Sequence, residues 1–390
     1  MLLIVAQLTD PDNTSTGYYW EKIIETLSEK NEILLITEEN SPKLINNTKL
    51  QILQVSIPKF LKNNFKFRNG YLSKVIMSFK MLFFSIINSR NKENILVGTN
   101  PFLIVLLPIF LNIFFIKTKV SIIVFDLFPE NLLSTTNSFL VKYFCKFIKL
   151  SFDFSYQKFH KIFSIGSDMT KILEQKKIDP KKIFYSPNWC DDSYDFNTNE
   201  KKDYLSSTGI DDISSSKIVI LYFGNLGYFQ NIELFLEIIS RTKNQDLIFL
   251  FVGNGIKKDS IIEASKLDKR IYYREGESLS NRSKILSCGD ISLVTLSDEM
   301  LGLAVPSKSY FSLAYGMPLL AIMNKDSEIS SFVKKNDFGW CFSPDEKEMV
   351  MNFLENLSFD DIKTKKEKIL NKEKKFRSKK TLSVILDNLS

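Results

Sequence analysis

The strongest constraint in this sequence is a regular alternation between short apolar or β-branched runs and segments of helix length. Runs of about four to six residues are typical of buried strands, and helical segments between them favour parallel sheets covered by helices. The fold class predicted by this alternation is therefore α/β. The predicted strands cover residues 2–7, 33–37, 95–98, 120–125, 162–165 and 183–186, and then 218–223, 247–252, 271–274, 291–295 and 319–322.

A polar stretch at residues 191–216, rich in Asp, Asn and Ser, interrupts this alternation. Such a stretch is typical of a boundary between domains. A chain of 390 residues with 44% hydrophobic residues can also bury two cores of ordinary size. We therefore expect one doubly wound domain over residues 1–190, a second over residues 191–370, and a C-terminal helix over residues 371–390.

The cysteines and the single histidine exclude several kinds of site. Cys145, Cys190, Cys288 and Cys341 lie far apart and form no CxxC pair, which indicates thiols in a reducing compartment and no zinc site or disulfide framework. The first residues lack the basic start and cleavage site of a signal peptide, so they predict a buried strand. Because His160 is the only histidine, zinc catalysis and a Ser-His-Asp triad are disfavoured, and a surface role is expected for it.

The charge of the chain is unevenly distributed. Residues 40–152 contain fifteen Lys and Arg but only the acids Glu93, Asp126 and Glu130, a net charge of +12, whereas the whole chain carries +7. This asymmetry predicts an anionic partner, either nucleic acid or an anionic membrane surface. The sequence has no aromatic-basic RNA motif and no helix-turn-helix pattern, so we expect no nucleic acid.

Two helical patterns favour the membrane. Apolar residues recur at helical spacing between residues 70 and 90, and Lys142, Lys146 and Lys149 share one face of a later helix. Each stripe could equally pack in a core, but the near absence of acids favours an anionic membrane surface as the partner of residues 65–150. The apolar run 101–116 is too short to span a bilayer and is interrupted by Pro108, so a buried helix is predicted.

Three turns that follow strands of the second half could bind an anion. A glycine turn before a helix exposes N–H groups that suit a diphosphate, although many such turns need glycine only for their conformation. Parallel strands would bring all three turns to one edge of the sheet, where Lys308 could add a positive charge. The residues concerned are Gly224, Asn225, Leu226, Gly227 and Gln230 in the first turn, Gly253, Asn254 and Gly255 in the second, and Pro306, Ser307 and Lys308 in the third.

The order of these segments resembles the family 4 glycosyltransferases, in particular bacterial enzymes of capsule and O-antigen assembly. The segments that carry the resemblance are YFGNLGYFQN, FLFVGNG and DISLVTLSDEMLGLAVPSKSYFSLAYGMPLLAI, with GTNPFLIVLL, VSIIVFDLFPENL and FSIGSDMTKILEQKKIDPKKIFYSPNWCD in the first half. The resemblance implies a GT-B fold, in which two Rossmann-like domains face a central cleft and the C-terminal helix returns to the first domain.

The resemblance also implies roles for individual residues. Residues 224–227 and the following helix would receive the donor diphosphate, with Lys308 neutralising it, while residues 253–255 and Arg274 would lie near the base and ribose. Thr16 and Gly17 would lie on the acceptor side. The implied catalytic residues are Asp126, Glu130, Glu299 and Lys308. Asp126 and Glu130 could instead cap the helix after Pro129, and Asp10 and Asp12 are expected to form a turn and no metal site.

The sequence departs from the family pattern at two places. Leu303 and Phe311 stand where many members have two glutamates, so the sugar contacts of those acids would fall to another residue such as Glu299. Asn225 and Gln230 stand where many members have Arg and Lys, which would leave more of the charge compensation to Lys308.

The implied activity is a retaining, metal-independent transfer of a hexosyl group from a nucleotide-sugar, most simply a UDP-sugar, to a lipid-linked or other saccharide acceptor. No other cofactor is expected. The enzyme would be cytoplasmic and peripheral on the inner face of the cell membrane. A nucleotide-sugar 2-epimerase on the same scaffold, and a catalytically inactive relative that binds membrane or nucleic acid, remain alternatives.

Overall fold

The chain forms two compact units. A computed structural model describes residues 1–38, 42–57, 71–135, 139–191, 204–207, 209–210 and 217–389. The first unit comprises Met1–Pro187, Gly302–Val305 and Lys379–Ser390, and the second comprises Asn188–Leu301 and Pro306–Ser378. The expected boundaries were residues 190 and 371, whereas the units change at Pro187 and the C-terminal segment of the first unit begins at Lys379.

The first unit contains a seven-stranded parallel sheet with the strand order β3-β2-β1-β4-β5-β6-β7. Its strands are β1 (Leu2–Val5), β2 (Ile33–Thr37), β3 (Leu50–Gln54), β4 (Asn94–Gly98), β5 (Lys119–Val124), β6 (Lys161–Ser164) and β7 (Ile183–Tyr185). Its helices are α1 (Ser15–Ser28), α2 (Pro42–Ile45), α3 (Tyr71–Asn88), α4 (Leu107–Ile113), α5 (Glu130–Thr135), α6 (Phe139–Lys158) and α7 (Ser167–Gln175).

The second unit contains a six-stranded parallel sheet with the strand order β10-β9-β8-β11-β12-β13. Its strands are β8 (Ile218–Phe223), β9 (Leu247–Val252), β10 (Ile271–Arg274), β11 (Ile291–Thr295), β12 (Leu319–Ile322) and β13 (Gly339–Phe342). Its helices are α8 (Ile232–Arg241), α9 (Lys258–Leu267), α10 (Arg282–Leu286), α11 (Lys308–Ala314), α12 (Glu328–Asn336), α13 (Lys347–Asn356) and α14 (Phe359–Asn371). Helix α15 (Ser378–Leu389) follows α14 and belongs to the first unit from Lys379 onward.

Burial of the apolar runs explains the central strands. All six residues of β9 are buried, and Phe235 on α8 packs edge-to-face against Phe249 on β9 with ring centroids 5.8 Å apart. Each fully buried Phe stabilises the fold by about 1.5 to 3 kcal/mol. This packing fixes α8 on the sheet and therefore places the loop that precedes α8 at the carboxyl edge.

Two strands and one helix differ from the expectation. Strands β3 and β13 were missed because neither has the buried core expected of a central strand, and both lie at edges of their sheets. Residues 101–116 form a 3₁₀ turn over Phe102–Leu106 followed by α4, and the predicted buried helix is correct only as far as Leu111, because Phe114 and Phe115 are exposed. Across the helical segments that the structure describes, none combines the length and the apolar character needed to cross a membrane.

Candidate functional site

The three turns predicted to bind an anion, at residues 224–230, 253–255 and 306–308, lie at the carboxyl edge of the second sheet. Strand β8 has β9 on one side and β11 on the other, so the strand order reverses next to β8. In an open α/β sheet the loops diverge at this point and leave a crevice in which ligands bind. The loop after β8, residues 224–231, therefore occupies the position that the fold itself favours for a ligand.

The glycines of the first two turns allow their backbones to approach closely. Gly224 has φ +140°, and its N–H donates to Val252 O at 3.0 Å. A Cβ atom on Gly253 would lie 1.8 Å from Gly224 O, and one on Gly255 would lie 2.3 Å from Leu226 O. Side chains would force the two turns apart, so the glycines are required for this contact.

The start of α8 leaves backbone donors for a ligand. A 3₁₀ turn over Tyr228–Gln230 leads to Asn231, which has φ +45° and makes no side-chain cap hydrogen bond. The first N–H groups of a helix have no partner within the helix, and its dipole favours an anion there. The turn is fixed from β11, because Ser297 N donates to Phe229 O at 2.7 Å and Thr295 donates to Gln230 O.

Lys308 lies beside the same turn. Its ammonium group lies 3.4 Å from the centroid of the Tyr222 ring, and its side chain passes within 3.7 Å of the position of a Cβ on Gly224. The Nζ atom is buried and has no hydrogen-bond partner among the residues that the structure describes. Burial lowers the pKa of Lys308 well below its ordinary value. An anion held by the turn would supply the acceptor that Lys308 lacks.

Some residues that were expected to contact the base and ribose already have protein partners. Arg274 forms an ion pair with Glu277 at 2.7 Å, donates to Ser207 Oγ at 2.6 Å and stacks on Tyr204. Asn254 Oδ1 accepts from Gly276 N at 3.2 Å. Sequence reasoning could not foresee these contacts, since the partners of Arg274 include residues almost 70 positions away along the chain.

The third turn and its neighbours complete this edge. Pro306 O accepts from Ser309 N at 3.2 Å and Ser307 O accepts from Tyr310 N at 3.1 Å, which begins α11. Glu299 is exposed in a 3₁₀ turn after β11. Phe311 is buried beneath the guanidinium of Arg282, so it does not replace the sugar contacts of a glutamate.

Asp126 in the first unit is held in a defined position after β5. Its two carboxylate oxygens accept from Asn100 at 3.2 Å and from Asn131 at 3.0 Å, and its backbone forms an isolated β-bridge with Ala304. Burial raises the pKa of Asp126, and the two amide hydrogen bonds act in the opposite direction. The side chain thus serves neither as a helix cap nor as an exposed surface charge.

Glu130 belongs to an ion-pair cluster. It begins α5 and accepts from both Lys149 and Lys176, and Asp153 also pairs with both lysines. Lys176 is the best buried member, with 3% of its side chain exposed. One Glu130 oxygen therefore serves the packing of α5 against α6 and the end of α7.

The residues expected on the acceptor side lie at the start of α1. Thr14 caps this helix by accepting from Gly17 N at 2.9 Å, and Thr16 lies half-buried between them. A Cβ on Gly17 would lie 2.1 Å from Asp10 O, so glycine permits close packing there. Asp10 and Asp12 form a turn in which Asp12 N donates to Asp10 Oδ1 at 3.0 Å. The exposed His160 precedes β6, at the amino edge of the sheet.

Comparison with known proteins agrees with this fold. No protein-family model matches the chain. The probable glycosyltransferase WbjE of Pseudomonas aeruginosa is 28% identical over 367 residues, which cover 91% of this chain and 89% of that protein.

Among the solved structures that match the chain over its full length are two bacterial proteins. The Anabaena protein Alr3699/HepE, in complex with UDP-glucose, has a TM-score of 0.71 at 10% identity and is covered to 98%. WaaG, a glycosyltransferase involved in lipopolysaccharide biosynthesis, also has a TM-score of 0.71 at 10% identity and is covered to 100%. At this identity the structural likeness establishes the fold. The expected resemblance and fold class are thus confirmed, and the chain is a homologue of bacterial glycosyltransferases with their GT-B fold.

Proposed function

We propose that the protein transfers a hexosyl group from a UDP-sugar to a saccharide acceptor during assembly of a cell-surface polysaccharide such as capsule or O-antigen. The observation that carries this proposal is the buried, unpartnered ammonium of Lys308 beside the glycine turn of β8. A buried cation without an acceptor is costly, and a diphosphate would compensate it. The UDP-glucose complex of the Anabaena protein and the relationship to WbjE support this choice of donor class.

In the proposed donor complex, the diphosphate lies on Lys308 and on the N–H groups of residues 227–233, whereas the N–H of Leu226 donates to Asn254 O at 2.9 Å. Pro306 and Ser307 position that lysine, and the second turn contacts the nucleoside. Glu299, exposed at the same edge, is assigned to the hydroxyls of the sugar. Arg274 takes part only if the ligand displaces one of its present partners.

The proposed reaction retains the anomeric configuration and needs no metal ion. The helix dipole and Lys308 stabilise the leaving diphosphate, which helps to deprotonate the incoming hydroxyl. Asp126 is assigned to the acceptor side, together with Thr16 and Gly17. Glu130 is also assigned to the acceptor side, where its ion pairs with Lys149 and Lys176 hold the beginning of α5 in place.

The proposed acceptor is a lipid-linked saccharide, and the proposed location is the cytoplasmic side of the cell membrane. The +12 charge of residues 40–152 supports this placement, since anionic lipids attract such a segment. Part of that stretch, including Lys66 and Arg68, lies outside the described residues.

The proposal is tested with purified full-length protein. UDP-, GDP- and dTDP-sugars are compared by thermal shift, and transfer from the stabilising donor is then followed by mass spectrometry with and without EDTA. We expect a UDP-sugar to stabilise the protein and transfer to survive chelation. Lys308→Ala should lower kcat/KM roughly ten- to hundredfold, because a charge-assisted contact is worth about 1.5 to 3 kcal/mol.

The matched control is Lys266→Ala, since Lys266 is exposed on α9 and should leave transfer unchanged. Equal activity of the two variants would contradict the assignment of the phosphate site. Release of free UDP together with an epimerised sugar, and no acceptor product, would show that the protein is an epimerase and not a transferase. Complete loss of activity in EDTA, restored by Mg²⁺ or Mn²⁺, would refute metal independence.

A further inference from the structure

Helix α3 exposes a row of large apolar side chains, although its inner side also buries Met77, Met81 and Leu82. Leu72, Phe79 and Phe83 are all more than half exposed. The opposite face buries Ser78 and Ser85, whose hydroxyls donate to carbonyls one turn earlier in the helix. An ordinary surface helix turns its apolar stripe to the core and a polar face to solvent, whereas α3 carries large apolar side chains on both sides. The expected stripe of residues 72–86 is thus divided between two faces.

Helix α6 likewise exposes a row of large apolar side chains while its inner side buries Phe152 and Tyr156. Phe139, Tyr143, Phe147 and Leu150 are more than two-thirds exposed and recur at helical spacing along one side. Ser155, by contrast, is buried and donates to Val105 O at 2.5 Å. Helix α4 packs against both α3 and α6, so the exposed rows belong to one group of packed helices.

The turn after α4 displays two more aromatic side chains under backbone constraint. Phe115 N donates to Asn112 O and Ile116 N donates to Leu111 O, which are the two hydrogen bonds of a Schellman motif. Phe115 occupies its left-handed position with φ +53°, where glycine or asparagine is usual. Its side chain is 92% exposed, and Phe114 beside it is exposed as well. A bulky aromatic in this conformation gains nothing from the fold, which points to a function.

The charges around these side chains are positive. Lys117 follows the turn, and Lys146 precedes Phe147 on α6; both lysines are exposed. Residues 40–152 contain three acids, and two of them already have partners: Asp126 accepts from two amide groups and Glu130 pairs with two lysines. A second copy of the same surface would oppose positive to positive, whereas an anionic bilayer complements both the charge and the apolar rows.

We propose that this apolar helical surface, formed by the exposed rows of α3 and α6 and the turn Phe114–Phe115, inserts into the headgroup region of an anionic lipid leaflet. The lysines contact the lipid phosphates, and the aromatic side chains enter the boundary between headgroups and acyl chains. This inference rests on the membrane-side location proposed above, and it adds apolar insertion to electrostatic attraction. Insertion predicts a component of binding that salt does not remove, because screening acts on charges alone.

The test uses full-length protein and vesicles of phosphatidylcholine with or without phosphatidylglycerol. We expect binding to rise with phosphatidylglycerol and to persist in part at high salt. Phe115→Asn should lower the partition coefficient roughly tenfold, because one buried Phe is lost from the lipid. The same variant should unfold at an equal or higher temperature, since asparagine tolerates the left-handed conformation better than phenylalanine.

Leu267→Asn is the matched control, because Leu267 is 91% exposed at the end of α9 in the second unit. It should leave vesicle binding unchanged. Equal partition of the two variants, binding that vanishes completely in salt, or a dimer that Phe115→Asn dissociates would each overturn the proposal. Transfer to a soluble saccharide acceptor should survive Phe115→Asn, so failure of this inference and failure of the proposed transferase function are distinguishable.

Discussion

At the scale of the residue, Lys308 combines a stability cost with its proposed role in binding the donor diphosphate. Its buried ammonium has no acceptor within the described part of the chain, and burial lowers its pKa below the ordinary 10.5. Between the lowered pKa and 10.5 the unfolded chain therefore binds more protons than the folded one, so the free energy of unfolding rises with pH across this window. Lys308→Met should remove this rise and stabilise the free protein near neutral pH by about 1 to 3 kcal/mol.

Urea denaturation of both proteins between pH 7 and pH 10 measures this effect, with and without UDP-sugar. The donor should stabilise the unmodified protein strongly and the Lys308→Met variant weakly. A variant that is less stable than the unmodified protein, or one that keeps the full pH dependence, would show that Lys308 already has a compensating partner in the free fold.

At the scale of the element, the cluster of Glu130, Lys149, Asp153 and Lys176 joins α5, α6 and the end of α7. Lys176→Met leaves two largely buried carboxylates without their best buried partner, so we expect a loss of about 3 kcal/mol of unfolding free energy. Lys149→Met is the control, because 39% of the Lys149 side chain is exposed and such a pair is worth less than about 1 kcal/mol. Equal losses in urea denaturation would mean that burial does not distinguish the two lysines.

At the scale of the whole molecule, the sequence predicts the positions of buried strands better than it predicts which face of a helix is covered by other elements. The strands at 218–223 and 247–252 were predicted with correct bounds because continuous apolar runs between turns leave few alternatives. The two faces of α3 were not predicted, since periodicity cannot tell which apolar positions are covered by other elements. The contacts of Arg274 and Glu130 were also missed, because they depend on tertiary packing between residues distant in sequence.

The presence of two units, each with its own sheet, gives the donor proposal a spatial test. A diphosphate on the uncapped start of α8 would accept from N–H groups that have no partner in the helix, so their hydrogen exchange should slow when donor binds. We expect protection in peptides covering residues 224–234 and 253–257, about tenfold at a donor concentration ten times Kd. Strands β1 to β5 should exchange unchanged, because their sheet has its own core. Lys308→Ala at the same donor concentration should show little protection at residues 224–234. Protection confined to the first unit would contradict the assignment of the nucleotide to the second sheet, whatever the rate of sugar transfer.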